Sequence, residues 1–465
     1  MIRLVGSRQA AIPVSHARLC IHSNGMDAYQ KGFIKMANNF YLSVGIDVGA
    51  DFSYMSIALP NQTFVGKPFK ITHSNLASLE KAVLTIKEAE ESNSLKARIF
   101  LESTGIYHYP LFCYLRDKGF SVSIINPIIT KSSTNINIRK VHNDKFDSKK
   151  LALIALKPDL KVSVIPSDLV LDLRNLTREY YNLMDYRSAY VNKLQGELRL
   201  TFPQYIGIFS KLTVETSLSL LEKYATPVAF LAAKKKDIIK VISSTARFGT
   251  AYAEKQYQAI ITAAEAASLF GYALPSNDRL IKLSVSFIKK YDEEINGILA
   301  AMHQLVDANP NEIFVKQIHL IETFKGAGFL SAVTVICEIG DFSVFKSPKQ
   351  LFAYFGLDPA VKQSGKFNGT DVKMSKRGSP LAQRAIHTMA LVSIGRTCKG
   401  AANNPVLREY YLTKCQCKPK MVALGALMHK VCNIVFAILR DQKPFVVISP
   451  YQHKLNYLQR LSQTA

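Results

Sequence analysis

Acidic residues are scarce in this chain of 465 residues: 35 Asp and Glu stand against 59 Lys and Arg, which gives a formal net charge of +24. A basic surplus of this size favours a polyanionic partner such as a nucleic acid, because each neutralised phosphate adds sequence-independent affinity. No uninterrupted apolar run approaches the roughly 20 residues that a membrane-spanning helix needs, so no membrane association is predicted. With 48% hydrophobic residues, the chain is long enough to build two or three cores.

Paired metal-ligand spacing of the zinc type is also missing. The histidines show no ligand spacing, and the nearest cysteines, Cys415 and Cys417, are separated by a single residue. Free thiols in a reducing cytoplasm are the ordinary interpretation of the cysteines. These are Cys20, Cys113, Cys337, Cys398, Cys415, Cys417 and Cys432.

Two acids close apolar runs against this basic background. Asp47 lies between Gly45 and Gly49 near the end of one run, whose later alternation predicts a hairpin with Asp47 on a central strand. Glu102 closes a second run that begins at Ala97, which predicts a short buried strand. Both acids are therefore expected where strands meet loops, the position from which α/β sheets present chemistry.

A further pair of acids, Asp144 and Asp147, begins an amphipathic segment. If this segment is a helix, a spacing of three puts both side chains on one face, and the helix N-terminus favours their negative charge. Taken singly, such residues are most often turn formers or helix caps. As an ordered set of four, their hard oxygen ligands favour Mg²⁺ or Mn²⁺. Two such ions about 3.5–4 Å apart could clamp both oxygens of a phosphodiester displacement.

Motifs around these acids resemble a known family. Gly-Ile-Asp-Val-Gly, Leu-Glu-Ser-Thr-Gly-Ile-Tyr, the pair Asn126 and Pro127, and Asn-Asp-Lys-Phe-Asp-Ser are similar to the RuvC-like domain of DEDD transposases. These transposases belong to insertion-sequence family one hundred and ten and are related to the Piv site-specific invertases. The resemblance implies a ribonuclease-H-like α/β fold over 40–160. It also implies a catalytic, Mg²⁺-binding pocket made of Asp47, Glu102, Asp144 and Asp147.

Residues around the second acid pair depart from the family pattern. The family usually has a basic residue and Thr before the first Asp and Ala after the second, where this chain has His142, Asn143 and Ser148. All four acids are intact, so the departure is expected to affect substrate contacts.

The segment from Phe324 to Ala332 resembles the family's helix-hairpin-helix, with Phe329 in place of a frequent Pro. Gly326 and Gly328 would let backbone N–H groups approach a phosphate at the start of the next helix, with Lys325 beside them. Seen alone, Gly-Ala-Gly is more often a tight corner between helices.

A second basic segment begins at Gln363 and contains only one acid, Asp371. Clustered cations and glycines suit close approach to a nucleic-acid backbone. The residues concerned are Lys362, Lys366, Lys373, Lys376, Arg377 and Arg384, interspersed with Gly365, Gly369 and Gly378. We assign nucleic-acid binding to Lys366, Lys376, Arg377 and Arg384.

Ser364 in this segment matches the position that the family uses as a nucleophilic serine. On residue type alone, a Ser beside Gly is a turn residue. A hydroxyl is a weak nucleophile that needs a base or metal, and the acid pocket is the candidate. The two ends of the chain would then have to meet, within one subunit or between subunits.

Helical periodicity dominates the region between these segments. Apolar residues recur at three and four from Leu173 to Leu194, which predicts a coiled coil or helical hairpin whose first helix ends at Pro203. We interpret 165–310 as a helical linker and dimerisation region, in agreement with the family's coiled coil. A mainly α C-terminal transposase domain is expected over 315–445, including an amphipathic helix at 421–440, before a tail at 446–465. The extension at 1–39 resembles a mitochondrial transit peptide in composition, but we favour a start assigned too far upstream, with the extension disordered or without a role.

The resemblance implies a transposase of a prokaryotic mobile element that is cytoplasmic and associated with the nucleoid. Ser364 would attack the phosphodiester, and the partners would be DNA, a structured guide RNA and further copies of the chain, as a dimer or tetramer. Two other classes stay open. A junction-resolving nuclease needs the acids but not the serine, and a non-catalytic nucleic-acid-binding protein needs only the charge.

Overall fold

A computed structural model gives the fold. It describes residues 40–102, 107–125, 143–157, 160, 166–245, 249–272, 274–359, 363–364, 367–368, 374–375, 377–449, 451–452, 455 and 458–459. The extension at 1–39, the Asn126 and Pro127 pair and most of the tail after 449 lie outside the described residues. The chain divides into two compact units, Met1–Ile165 and Pro166–Ala465.

In the first unit, the described residues form a mixed five-stranded sheet with the order β3-β2-β1-β4-β5. The strands β1, β2 and β3 form an antiparallel meander, whereas β4 and β5 run parallel to β1. The predicted hairpin and the central position of the first strand are confirmed. The strands are β1 Leu42–Val48, β2 Phe52–Ala58, β3 Phe64–Thr72, β4 Ala97–Glu102 and β5 Ser121–Ile125.

Helices cover both faces of this sheet. The even-numbered residues of β1 and the odd-numbered residues of β4 are buried in one core with the apolar residues of α1, Leu76–Asn93, and α2, His108–Asp117. A third helix, α3, Asp144–Ala155, lies on the other face. The combination of a mixed sheet and helices is consistent with a ribonuclease-H-like domain.

Close backbone packing holds α3 on the sheet. At Gly45, a Cβ atom would collide with the backbone of Ser148 and Ala152, so only glycine lets the helix lie directly on β1. Ser43 Oγ donates a 2.7 Å hydrogen bond to the Ala152 carbonyl, and Tyr41 donates a 2.6 Å bond to the carbonyl of Ala155. These bonds satisfy carbonyls in the last turns of α3, where the helix has no further N–H donors of its own.

Two helices of 34 residues dominate the second unit, α4, Asp168–Thr201, and α9, Pro275–Ala308. They are antiparallel, because Arg187 binds Asp292 while Asn277, earlier on α9, donates to Glu197, later on α4. The first helix ends just before Pro203, as predicted. Between them, four shorter helices build a separate core. They are α5 Glu215–Tyr224, α6 Pro227–Ala232, α7 Lys235–Thr245 and α8 Thr250–Phe270.

The remaining helices pack around the free ends of this long pair. Val170 and Leu173 of α4, together with Met302 and Val306 of α9, share one core with the later helices. The sequence separates the helical region from the C-terminal region near 310–315, but the two regions form one compact unit because this core joins them. The later helices are α10 Ile313–Glu322, α11 Phe329–Ile339, α12 Pro348–Tyr354, α13 Pro380–Ile394, α14 Pro405–Cys417 and α15 Lys420–Asp441.

Among the described helices, α15 alone is long and apolar enough to cross a membrane, with a mean hydropathy of 1.9. Leu427, Val431 and Val435 on this helix are fully buried in the core that it shares with α11 and α13. We therefore interpret α15 as a core helix, as its amphipathic sequence predicts.

Candidate active site and nucleic-acid interface

Two of the predicted acids lie side by side at the edge of the sheet. Ile46 pairs with Leu101 in the parallel ladder, so the next residues, Asp47 and Glu102, are neighbours at the carboxyl ends of β1 and β4. Side chains alternate along a strand, which puts Asp47 on the same face as Gly45, the face that α3 covers. Both carboxylates are half-buried.

The other two acids occupy the first turn of α3. Asp144 is exposed and Asp147 is half-buried. Asn143 caps the helix, since its side-chain oxygen accepts a 3.1 Å hydrogen bond from the backbone N–H of Lys145. The positive end of the helix dipole favours both carboxylates here. The acid pair therefore lies at the start of the helix that rests on the Asp47 side of the sheet.

The charges of these four acids affect one another. The pKa of Asp47 is raised from an ordinary value of 3.8 to about 7, chiefly by burial and then by the negative charges of Asp147, Glu102 and Asp144, in that order. The pKa of Asp47 is therefore raised by two conditions that both disfavour its charged form, a partly buried position and three carboxylates nearby. A bound cation would relieve this repulsion.

The four acids have suitable donor atoms for a metal ion, but their side chains are not positioned to bind one. Four carboxylates without Cys or His are the donor set that Mg²⁺ or Mn²⁺ prefers. Within the described part of the chain, however, no group of three Asp, Glu, His or Cys side chains is close enough to hold an ion. The donor types and the concentrated charge fit a divalent cation, whereas the side chains would have to move together to coordinate it.

Ser364, the predicted nucleophile, belongs to the second unit. It lies in a short strand, β6, Gln363–Ser364, which pairs with β7, Phe367–Asn368, so that Ser364 is opposite Phe367. Lys366 and Lys376 lie outside the described residues, and Arg377 is exposed.

Described residues on the two sides of the segment that carries Ser364 contact each other. Pro359 pairs with Met374 in an isolated bridge. Next to it, the Ser375 hydroxyl donates to the Asp358 carboxylate at 2.5 Å, and the Ser375 N–H donates to the Asp358 carbonyl at 2.7 Å. We call this arrangement the neck, and define it as residues 356–359, 374–375 and 377–378.

Gly378 has a structural role in the neck. A Cβ atom there would overlap the backbone of Tyr354 and Phe355, and one on the facing Gly356 would overlap the backbone of Arg377 and Gly378. Gly356 also has a φ of +66°, a conformation that side chains disfavour. The small size of Gly378 is therefore required by packing inside the protein.

The Gly-Ala-Gly turn has an exposed and a buried part. Lys325 and Gly328 are exposed, and Gly328 is the residue before α11. Gly326 is buried against α13, where a Cβ atom would come within 2.9 Å of Met389 and Ser393. Lys325 and Gly328 are thus on the surface, whereas the glycine at 326 is required by helix packing.

Comparison with known proteins agrees with this arrangement of the chain. Residues 44–203 match the model of DEDD transposases of the IS110 type, described as a transposase, and residues 318–412 match the model described as the transposase IS116/IS110/IS902 family. The chain belongs to the IS110 family of transposases. The resemblance that the motifs carry is confirmed, and the protein is a DNA transposase or recombinase.

Two kinds of relative are similar to this IS110-family transposase. An uncharacterised 43.6 kDa protein of insertion element IS110 from Streptomyces coelicolor is 22% identical over 331 residues, which cover 70% of this chain and 77% of the relative. Pilin gene-inverting proteins of Moraxella lacunata and Moraxella bovis are each 27% identical over 160 residues. That match covers 34% of this chain and 47% of theirs, so it spans about half of the inverting proteins.

Arg384 of the transposase, a predicted nucleic-acid contact, also has partners inside the protein. Its guanidinium donates a 2.9 Å hydrogen bond to Asp185 and lies 4.7 Å from the centre of the Tyr181 ring. Both partners are on α4, whereas Arg384 is on α13, so the side chain joins two helices of the core. Its charge is therefore already partly matched by Asp185.

A hydroxyl pair beside the acids was not identified from the sequence. Ser56, opposite Gly45 on β2, and Ser148, directly after Asp147, are both buried with their Oγ atoms 2.8 Å apart. Ser148 also donates to the Lys145 carbonyl at 3.0 Å. The family usually has Ala at the position of Ser148. The serine in this chain is explained by its hydrogen bond with the buried Ser56. Ser43, Gly45 and Ser56 on facing strands were the available sequence signal for a closely packed helix.

Proposed function

We propose that this transposase cuts and rejoins DNA strands at the ends and target of its insertion sequence through a covalent intermediate on Ser364. The observation that carries the proposal is the grouping of Asp47 with Glu102, Asp144 and Asp147 in a chain of net charge +24, where burial and then these three charges raise the pKa of Asp47 to about 7. A structural role alone gives a basic protein no reason to hold four acids together, because their mutual repulsion opposes folding.

Asp47, Glu102, Asp144 and Asp147 would hold a divalent cation, Mg²⁺ in the cell. When bound, the cation would neutralise charge that develops on the phosphoryl oxygens. Since no three of the described side chains are already within coordinating distance, we propose that the carboxylates come together only when the cation and DNA are present. A ribonuclease-H- or RuvC-like fold for 40–160 is part of this proposal, and the sheet order supports it.

The reaction itself would be a transesterification. The Ser364 oxygen attacks phosphorus and loses its proton to a base, a new serine–phosphorus bond forms, and the bond to the deoxyribose oxygen breaks as that oxygen takes up a proton. Attack by the hydroxyl of another strand reverses these steps and frees the serine. The number of phosphodiester bonds is conserved, so no external energy source is needed.

A structured guide RNA and assembly of several subunits complete the proposal. The resemblance of the motifs to the family supports both. Base pairing by RNA would supply sequence choice while the protein holds backbones, and a surplus of 24 positive charges is suited to more than one polyanion. The surface part of the Gly-Ala-Gly turn, Lys325 and Gly328, is a candidate backbone contact, as are Lys366, Lys376, Arg377 and the exposed part of Arg384.

Two substitutions with matched controls test the catalytic part. With DNA that carries the element end, Mg²⁺ and the element's flanking transcript, Ser364→Ala should abolish the detergent-resistant protein–DNA adduct. Ser188→Ala, which removes an exposed hydroxyl bound only to its own helix at Met184, should leave the adduct intact. Asp47→Asn should abolish cutting but not DNA binding, whereas Asp51→Asn in the exposed turn four residues later should do neither.

The alternatives give different results in the same assay. A junction-resolving nuclease would keep cutting after Ser364→Ala, and its wild type would form no adduct. A non-catalytic binding protein would be unaffected by Asp47→Asn. Either outcome would refute the proposed function.

A further inference from the structure

A row of polar and aromatic side chains crosses the sheet on the face of the acid cluster. Asp47 is opposite Tyr54 in the ladder between β1 and β2, and Tyr54 is opposite Lys70 in the ladder between β2 and β3. Glu102 is the neighbour of Asp47 on the other side. Residues opposite each other in a ladder project from the same face. Next to the acid cluster, the same face of the sheet therefore carries an aromatic residue on β2 and then a cationic residue on β3, a strand at the edge of the sheet.

Cations lie over the aromatic rings of this row. Lys70 Nζ is 4.0 Å from the centre of the Phe52 ring, and Lys145 Nζ, from the first turn of α3, is 5.6 Å from the centre of the Tyr54 ring. The Phe52 and Tyr54 rings contact each other edge to face at 5.9 Å between centres. We call Phe52, Tyr54, Lys70 and Lys145 the strip.

The charges of the strip are not neutralised by acids in the described part of the chain. The ion pairs found there involve other lysines, arginines and one histidine, and neither Lys70 nor Lys145 takes part in any of them. Both lysines are exposed, and Phe52 and Tyr54 are half-buried. A cation over a ring keeps its full charge, so the strip presents two positive charges beside partly exposed aromatic rings.

A DNA strand that reaches the acid cluster needs such a surface. Four carboxylates repel the phosphates that flank the reacting one, and cations nearby would offset this repulsion. Aromatic faces bind unpaired bases by stacking without sequence preference, and lysines bind phosphates. Both kinds of contact are present in the strip, immediately next to Asp47 in the register of the sheet.

We propose that the strip binds the DNA strand that enters the acid cluster, with Lys70 and Lys145 on its phosphates and Tyr54 stacked on a base. This proposal deepens the proposed function and depends on it for the choice of DNA as the ligand. It requires binding only, so it can be tested separately from cutting.

The test uses the full-length protein and a fluorescently labelled single-stranded DNA, with anisotropy measured from 50 to 200 mM NaCl in EDTA. If Lys70→Ala with Lys145→Ala removes two phosphate contacts, the slope of log affinity against log salt should decrease by about 1.4. Across this fourfold salt range, the wild-type affinity should then fall about sevenfold more than that of the double variant.

The opposite face of the same sheet supplies a matched control. Lys81 Nζ lies 5.9 Å from the ring centre of Phe69, and Lys118 Nζ lies 5.4 Å from that of Tyr114; both rings pack on the core under α1 and α2. Lys81→Ala with Lys118→Ala removes the same charge and the same kind of contact, and it should leave the slope unchanged.

A substitution of the ring tests the stacking contact. Tyr54→Leu should weaken DNA binding about fivefold or more, since the stacking of one base on an aromatic side chain raises the affinity by at least that factor. Tyr54→Phe keeps the ring and should restore the affinity, which a loss of folding would not allow.

Several results would overturn the proposal. One is a strip double variant whose slope equals that of the wild type, and another is a slope change of the same size in the control. A third is weakened binding of an RNA of the same sequence with unchanged binding of DNA. Failure of the proposed function looks different, because a chain whose Ser364 forms no adduct would still show the slope change.

Discussion

Replacing Asp47 by Asn should stabilise the first unit at alkaline pH while it abolishes strand cutting. Asn has nearly the shape of Asp but no charge, so it keeps the packing on β1 and removes the repulsion from Glu102 and the acid pair of α3. A residue that is retained for chemistry at a cost in stability would behave in this way.

The raised pKa of Asp47 determines how the stability of the first unit changes with pH. Burial and the neighbouring carboxylates raise the pKa of Asp47 to about 7 in the folded protein, against an ordinary value of 3.8. The folded form then holds this proton more tightly than the unfolded form, so stability falls as the pH rises from about 4 to 7 and the full cost persists above 7. A shift of about three units corresponds to at most about 4 kcal/mol. Because the carboxyl is partly exposed and solvent screens it, we expect roughly 2 kcal/mol.

The assay is urea unfolding in EDTA at pH 5 and pH 8, followed by pulsed hydrogen–deuterium exchange of peptides from β1 and β4, so that the first unit is observed by itself. Asp47→Asn should be more stable than the wild type at pH 8, and the difference should shrink at pH 5. Asp51→Asn, in the exposed turn, should match the wild type at both values. The reasoning is refuted if Asp47→Asn is equally or less stable at pH 8, or if its advantage is independent of pH.

Three further substitutions test the packing around the two halves of the proposed site. Gly45→Ala should push α3 off β1 and lower the free energy of unfolding of the first unit by about 1–3 kcal/mol; an unchanged urea midpoint would contradict the close packing described. Ser148→Ala should lower the free energy of unfolding by about 1–3 kcal/mol because it leaves the buried Ser56 hydroxyl without its partner. Combining it with Ser56→Ala should recover part of this loss. If the effects of the two single substitutions simply add, the two hydroxyls do not interact. Gly378→Ala should displace the neck and reduce the protein–DNA adduct while filter binding shows that DNA is still held; undiminished adduct formation would count against the neck as the support of Ser364.

The strands and helices that carry the acids were predictable from local pattern. The apolar run that ends at Asp47 and the shorter run that ends at Glu102 each have the length and composition of a buried strand, and the structure has β1 and β4 there. The spacing of three between Asp144 and Asp147 was enough to put both in one helical turn. Each of these predictions depends on residues within about ten positions of one another.

Contacts between distant parts of the chain were not predictable in the same way. Gly45 was noted only as a glycine next to Asp47, but it is required because α3, about a hundred residues later, lies on the strand there. Gly326 was interpreted as a residue that lets backbone N–H groups approach a phosphate, and Gly378 as one of the glycines of the basic segment. The atom nearest to a Cβ at either position is instead a backbone oxygen of the protein itself, that of Met389 or of Tyr354. Arg384 meets Asp185 from 199 positions away. A basic, glycine-rich pattern does not show which of its members face inward.

The neck brings together the two stretches of chain that flank the segment carrying Ser364. Since Pro359 and Met374 are held together, and Asp358 and Ser375 reinforce them, the two ends of this segment are fixed beside each other. Positions 360–373 can therefore be exchanged between relatives as one piece, with the junctions of the chimaera at Pro359 and Met374. Such chimaeras would show whether DNA specificity is determined by the exchanged segment or by the rest of the protein.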